Sequence, residues 1–254
     1  MHSNRHTPKI SVITVTYNAG EVLEDTIQSV ISQTYHHVEY ILVDGASRDH
    51  TMAIANRYRE RIHKIISEPD KGLYDAMNKG ISLATGDYLC FLNAGDSFHE
   101  DDTLQQMVHS INGSELPDVL YGETAIVDKD RHFLHMRRLS APEKLTWKSF
   151  KQGMLVCHQA FLARHTVVEP YDLQYRFSAD FDWCIRVMKK ARTLHNDHPE
   201  PQSIASRTLP YYGAPLWNSQ YRSPSYLVYI SCNHQEIKQT FTWLPDFIIV
   251  SLRK

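Results

Sequence analysis

Ile10 to Thr16, ISVITVT, is the segment that most limits what this chain can fold into. It is rich in β-branched residues and apolar on both faces, which suits a strand covered on both sides, as in a parallel sheet. Leu23, Ile27, Val30 and Ile31 follow at i, i+4, i+7 and i+8 and draw one apolar stripe on a helix. Val38 to Val43 repeats the strand pattern. Asp49 to Arg61 suggests a polar helix capped by Asp49, and His63 to Ser67 a short strand. Leu73 to Ala84 then fits a helix and Tyr88 to Asn93 a further apolar strand. Strand and helix alternate, so the expected class is α/β, a doubly wound and mainly parallel sheet flanked by helices.

Right-handed crossovers place the loops after these strands along one edge of the sheet. Four polar strand ends should therefore converge: Tyr17 and Asn18, Asp44 to Asp49, Glu68 to Lys71, and Asn93 to Asp96. Further on, Leu104, Met107, Val108 and Ile111 mark a helix and Val119 to Tyr121 a strand. Glu123 to Arg138 alternates like a hairpin turning at Asp128 to Arg131. Cys157 to Leu162 is expected as strand and Phe181 to Lys190 as helix. After Leu194 the prolines at 199, 201, 210, 215 and 224 break up the chain, giving a domain over 8–194 and an irregular extension over 195–254 packed on it.

Composition removes several classes of function. Against 29 Asp and Glu stand 27 Lys and Arg, so no cationic field favours nucleic acid. The four cysteines form no C-x-x-C pair, which fits a reducing cytoplasm. The opening MHSNRHTPK has no apolar core of a secretory signal. The apolar runs Tyr226 to Cys232 and Phe247 to Leu252 are far shorter than the ~20 residues that span a bilayer. Surface contact with a membrane stays open, through patches such as Lys144 to Lys151 and Trp217 to Tyr229. Neither His36-His37 nor His195-x-x-His198 has the helical spacing of a zinc enzyme.

Three segments carry the candidate chemistry. In Asp44-Gly45-Ala46-Ser47-Arg48-Asp49, Gly45 permits a sharp turn and a carboxylate can accept from a ribose or a base edge; the same residues equally make a turn and helix cap. In Ser67 to Gly80, Lys71 supplies a cation suited to phosphate just before a helix N-terminus, or simply a solvated charge beside Asp70 as a cap. In Phe91 to Asp96, Asn93 and Asp96 end a buried strand. One carboxylate there is enough for Mg²⁺ shared with substrate phosphates, while the plain alternative is an Asx turn. The phosphate-cradling glycine motifs G-x-G-x-x-G and G-x-x-x-x-G-K-[ST] are absent.

Taken in order, SVITVTYN at 11–18, VDGASRD at 43–49, SEPDKGLYDAMNKG at 67–80, FLNAGD at 91–96, CHQAF at 157–161 and SADFDWCIR at 178–186 resemble the inverting family-two glycosyltransferases of GT-A type. Among these the likeness is greatest to bacterial exopolysaccharide enzymes of the colanic acid fucosyltransferase type. The resemblance implies transfer of a hexose or deoxyhexose from a nucleotide diphosphate sugar to a saccharide or a lipid-linked oligosaccharide, at the cytoplasmic membrane face. It implies that Thr16, Tyr17, Asn18 and Asp44 hold the nucleoside, that Asp70, Lys71, Asn78 and Asn93 border the donor, and that Asp96 binds Mg²⁺ or Mn²⁺. The family's acidic cluster is thinner here, with Asn93 and Gly95 where Asp is common. By the same resemblance His158 and Gln159 line the acceptor or diphosphate side and Asp180 is the base, with Asp182 as its local rival. Two other readings stand beside this one: a nucleotidyltransferase, and an inactive nucleotide- or glycan-binding module.

Overall fold

The structure, a computed structural model, describes residues 7–111, 115–128 and 131–192, together with the backbone of three strands between 227 and 252. It opens with β1 (Ile10–Thr16), α1 (Leu23–Ile31), β2 (Val38–Asp44), α2 (Thr51–Arg57), β3 (Lys64–Ser67), α3 (Leu73–Leu83) and β4 (Tyr88–Phe91). There follow β5 (Asp96–Phe98), α4 (Thr103–His109), β6 (Val119–Tyr121), β7 (Glu123–Val127), β8 (Phe133–Met136), β9 (Phe161–Arg164) and α5 (Ala179–Lys190). Strands β10 (Leu227–Ser231), β11 (Gln239–Leu244) and β12 (Phe247–Leu252) lie in the last part of the chain.

The main sheet runs β3-β2-β1-β4-β9-β6. The pairs β1–β2, β1–β4 and β2–β3 are parallel, and β9 is antiparallel to both β4 and β6. Period-two alternation explains why the strands are apolar throughout. Ile10, Val12, Tyr40, Leu42, Tyr88 and Cys90 join the core beneath α1 and α4, and Ile13, Val15, Ile41, Val43, Leu89 and Phe91 the core beneath α3 and α5. Both layers are closed to water. Gly80 of α3 faces Ile13 so closely that an added Cβ would lie 2.4 Å from its Cγ2.

The parallel register also fixes the functional edge. Thr16 pairs with Asp44 and Asp44 with Ser67, so three strands end in one row. In the core layer that also holds α3, Trp183 anchors α5 to the sheet. Its ring stacks on Tyr171 at 5.1 Å and meets Phe91 edge-on at 5.6 Å, while its indole N–H donates to the Glu169 carbonyl.

Three expectations change in detail. The helix expected over Asp49 to Arg61 shrinks to α2 plus a 3₁₀ turn at Arg59–Arg61; the Asp49 carboxylate accepts from Thr51 N–H and from Gly20 N–H, so it ties the start of α2 to the loop after β1. The strand expected from Cys157 begins only at Phe161, because His158–Ala160 form a 3₁₀ turn. Where an irregular extension is expected, backbone pairing gives β10 a place between β5 and β7, and β11 and β12 form a two-stranded ladder. The boundary at 194 lies outside the described residues. Among the described residues no helix is long and apolar enough to cross a membrane.

At the opposite end of the parallel strands, Glu39 is buried and accepts from Ser11 Oγ at 2.6 Å and from Thr85 N–H at 2.7 Å, with Lys64 Nζ at 3.1 Å. Burial alone would raise its pKa, but these donors outweigh it and hold the carboxyl at about 2. A depressed carboxylate stabilises the fold above its unfolded pKa and loses that contribution as pH falls through the folded value. Glu39→Gln should therefore lower unfolding free energy by roughly 2–3 kcal/mol at pH 7. In urea titrations the gap to wild type should shrink as pH falls from about 4.5 toward 2; a gap that is independent of pH would contradict this assignment.

Candidate active site

A cavity of about 710 Å³ opens where the parallel strands end. Its walls come from Thr16 and Tyr17 after β1, Gly45, Ala46 and Arg48 after β2, Pro69, Asp70 and Gly72 after β3, and Asn93 and Ala94 after β4. All four strand ends named from the sequence meet here. Thr16 Oγ1 and Asn93 Oδ1 are buried with no hydrogen-bond partner among the described residues, although buried polar atoms are nearly always paired. Tyr17 is exposed at the mouth.

The loops are tied together by their own side chains. Asn18 turns the chain with a φ of 47°, donates its N–H to Ser47 Oγ and accepts from Arg48 N–H at 2.9 Å. Gly45 allows the β3 loop to close over it, since a Cβ there would sit 2.5 Å from Asp70 Oδ2 and 3.2 Å from Tyr17 Cδ2. Asp70 accepts from Gly72 N–H at 2.8 Å, and Lys79 Nζ donates to the Pro69 carbonyl.

Two candidates from the sequence play a different part. Asp44 is wholly buried, and its oxygens accept from the Ser47 N–H and hydroxyl and from Ser67 Oγ at 2.6 Å. It braces the loop after β2 from inside and is not part of the cavity wall. Asn78 faces the other way along α3. It donates to the Tyr171 carbonyl at 2.9 Å and accepts from the Tyr171 N–H at 2.6 Å, so its amide is consumed by the backbone that leads to α5. Lys71 is exposed and absent from the cavity wall, whereas Arg48 lines it.

Beside this cavity two carboxylates are held in contrasting surroundings. Asp96, at the start of β5, is buried and accepts from Gln159 Nε2 at 3.0 Å. Burial raises its pKa to about 7, against the Gln159 hydrogen bond and the charge of His158. Asp180, at the start of α5, accepts from Tyr74 Oη at 3.0 Å on one oxygen and faces His158 Nδ1 at 3.5 Å on the other. Burial works to raise its pKa, but His158 and then Tyr74 prevail and hold it below the usual carboxylate value. Burial would depress His158 in turn, yet Asp180 together with Cys157 pushes it up to about 10. Asp182 is engaged elsewhere, with Arg186 Nε at 2.7 Å, and takes no part in this arrangement of Asp180, His158 and Tyr74.

Among the described residues no group of three or more His, Cys, Asp or Glu is arranged to hold a metal. In the segment after β4, Asp96 and the unpartnered Asn93 Oδ1 carry oxygens suited to a hard cation, too few for a closed site, and Asp96 itself is not part of the cavity wall. Such a pair fits only a cation that brings further ligands with it. His195 and His198 lie outside the described residues.

Sequence reasoning missed Tyr74, Ser47, Ser67 and Arg48. Tyr74 carries no signal of its own, since a tyrosine in the first turn of a helix usually packs. Ser47 and Ser67 could have been suspected from the need to satisfy a buried Asp44 at the end of an apolar strand.

Comparison with known proteins agrees with this geometry. A family model described as Glycosyl transferase family 2 matches residues 11–169. The chain is 37% identical over 185 residues to a Mycobacterium tuberculosis protein named PGL/p-HBAD biosynthesis glycosyltransferase, covering 70% of this chain and 69% of that one. It is 30% identical over 200 residues to TuaG of Bacillus subtilis, whose name refers to teichuronic acid biosynthesis, covering 74% and 75%. The crystal structure of S. aureus TarS 1-349 in complex with UDP-GlcNAc superposes with a TM-score of 0.62 at 15% identity, a likeness of fold. That match covers 90% of this chain and 60% of the TarS chain.

The bracing role of Asn78 has a direct check. Asn78→Ala should cost roughly 1–3 kcal/mol of stability by leaving the Tyr171 backbone unpaired, with nucleotide-sugar affinity within about twofold of wild type. Calorimetric titration alongside urea unfolding measures both. Unchanged stability with lost affinity would restore Asn78 as a donor contact.

Proposed function

The chain belongs to glycosyl transferase family 2, and from that premise we propose that it moves a hexose or deoxyhexose from a nucleoside diphosphate sugar to a carbohydrate acceptor with inversion. The setting is bacterial surface or exopolysaccharide assembly, of the colanic acid fucosyltransferase type. One observation carries the donor assignment: Thr16 Oγ1 and Asn93 Oδ1 are buried and without a partner among the described residues, and both residues form part of the wall of a strand-end cavity. TarS was solved with UDP-GlcNAc, and the names of two relatives refer to PGL/p-HBAD and teichuronic acid biosynthesis, which supports a nucleotide-sugar donor and a surface glycan as product. The acceptor is a saccharide, free or lipid-linked, met by peripheral contact at the cytoplasmic membrane face.

In this reading the nucleoside lies against Thr16, Tyr17 and Ala46, with Asn18 and Asp44 holding the loops that shape its pocket. Arg48 and Asp70 border the mouth, and the exposed Lys71 next to Asp70 in the chain is a cation within the same loop. Asp180, ionised at neutral pH, accepts the proton of the acceptor hydroxyl. The acceptor oxygen bonds to the anomeric carbon as the bond from that carbon to the phosphate oxygen breaks, and the nucleoside diphosphate leaves with the electron pair. A single displacement from the opposite face inverts configuration and needs no covalent intermediate. Mg²⁺ or Mn²⁺ held through Asp96 and Asn93, with the donor's phosphates as its other ligands, would supply positive charge to the leaving diphosphate.

A donor screen by calorimetry, with and without Mn²⁺, tests this reading. Asp96→Ala should lose the metal-dependent gain in donor affinity. Asp180→Ala should bind donor within about twofold and lose transfer by roughly 10²–10⁴-fold. Normal turnover by either variant would overturn its role. The thin acidic set favours one alternative, an inactive binding module; donor binding by the wild type with no release of nucleoside diphosphate would establish that alternative.

A further inference from the structure

Asp180 and Asp96 sit on different elements, α5 and β5, yet consecutive side chains of one short turn hold them. His158 Nδ1 faces Asp180 Oδ2 at 3.5 Å, and Gln159 Nε2 donates to Asp96 Oδ2 at 3.0 Å. Both residues are more than nine-tenths buried. The turn itself is tightly fixed. Ala160 N–H donates to the Cys157 carbonyl at 3.0 Å, and the Ala160 carbonyl accepts from Gly122 N–H at 2.9 Å. Directly after it, β9 is locked between β4 and β6. Cys157 Sγ donates to Gln159 Oε1 at 2.6 Å, which orients the amide so that its N–H₂ is the end left for Asp96. On the other side Tyr74 holds the second oxygen of Asp180.

We infer that the 3₁₀ turn at His158–Ala160 sets the separation between the acceptor-side base and the donor-side carboxylate, with His158 and Gln159 acting as positioning residues. This rests on the reading of Asp180 as base and Asp96 as donor-side group. Displacement requires the acceptor oxygen and the leaving phosphate to lie in line across the anomeric carbon, so an error of about 1 Å in the spacing of these groups costs rate without abolishing binding. A tight turn whose adjacent side chains reach one carboxylate each transmits any shift of one to the other. Residues that act through such a unit give non-additive losses when they are changed together.

The test uses the full chain and whichever of UDP-N-acetylglucosamine, UDP-glucose and GDP-fucose binds it most tightly by calorimetry. Nucleoside diphosphate release is followed in His158→Phe, His158→Asn, Gln159→Met, Tyr74→Phe and the His158→Phe/Gln159→Met double variant. His158→Phe and Gln159→Met should each lower kcat by roughly 10–100-fold, with donor KM, and donor affinity measured without added metal, within about threefold of wild type. His158→Asn, which restores a donor near the Nδ1 position, should recover much of the loss, and the double variant should be no worse than the poorer single by more than about threefold. Losses that multiply in the double variant, or unchanged kcat in the singles, would overturn the inference. So would loss of donor binding in every variant, including Tyr74→Phe and His158→Asn, because the turn would then be only a folding element. No binding of any of the three donors to wild type, no turnover by wild type, or full activity in Asp180→Ala would instead strike the functional reading beneath it.

Discussion

Parallel pairing of β1 with β2 and with β4 is the constraint on which the rest of the molecule depends. Because these strands point the same way, their carboxyl ends reach one edge, and each is followed by a loop that must turn back over a face of the sheet. The register brings Thr16, Asp44 and Ser67 into one row, and the buried Asp44 then stitches the loop after β2 to the end of β3. Loops gain rigidity here from side chains that never reach the cavity: Asp44, Asn18, Asp49 and Lys79 hold backbone or hydroxyl groups of neighbouring loops. These contacts fix the shape of the cavity through the protein's own side chains.

The second half of the site contributes charge in two unlike states. Asp96 is pushed up to about 7 by burial, while Asp180 is held low by His158 and Tyr74 despite its own burial. Two carboxyl groups whose environments drive their pKa values apart are suited to different tasks. The low one suits proton acceptance from a hydroxyl in its ionised form. The high one gains most from a cation or a phosphate-bound metal, because compensation of a buried charge is worth more than that of a solvated one.

Much of this was legible in the sequence because burial on both faces leaves a strong pattern. Ile10 to Thr16, Val38 to Val43 and Tyr88 to Phe91 are strands, and the polar residues after them meet as expected. The choice between Asp180 and Asp182 was not legible, since both occupy the first turn of α5 and only Arg186, one helical turn on, and Tyr74, from another helix, separate them. The partner of Asn78 was not legible for a related reason: a polar residue within a familiar motif gives no sign of which backbone it meets, and here that is Tyr171, 93 positions away. The start of β9 was hidden because CHQAF suits a strand locally, while the need to hold two carboxylates favours a 3₁₀ turn over its middle residues. Proline content masked the pairing of β10 with β5 and β7, which depends on partners more than 90 residues distant.

A crystal structure of the chain with UDP bound would test the central claim most directly. The nucleoside should lie against Thr16, Tyr17 and Ala46, with the diphosphate extending toward Asn93 and Asp96 and Thr16 Oγ1 or Asn93 Oδ1 newly hydrogen-bonded. A nucleotide bound away from the strand-end edge, or one in the cavity that leaves both atoms unpartnered with its phosphates turned from Asp96, would contradict it.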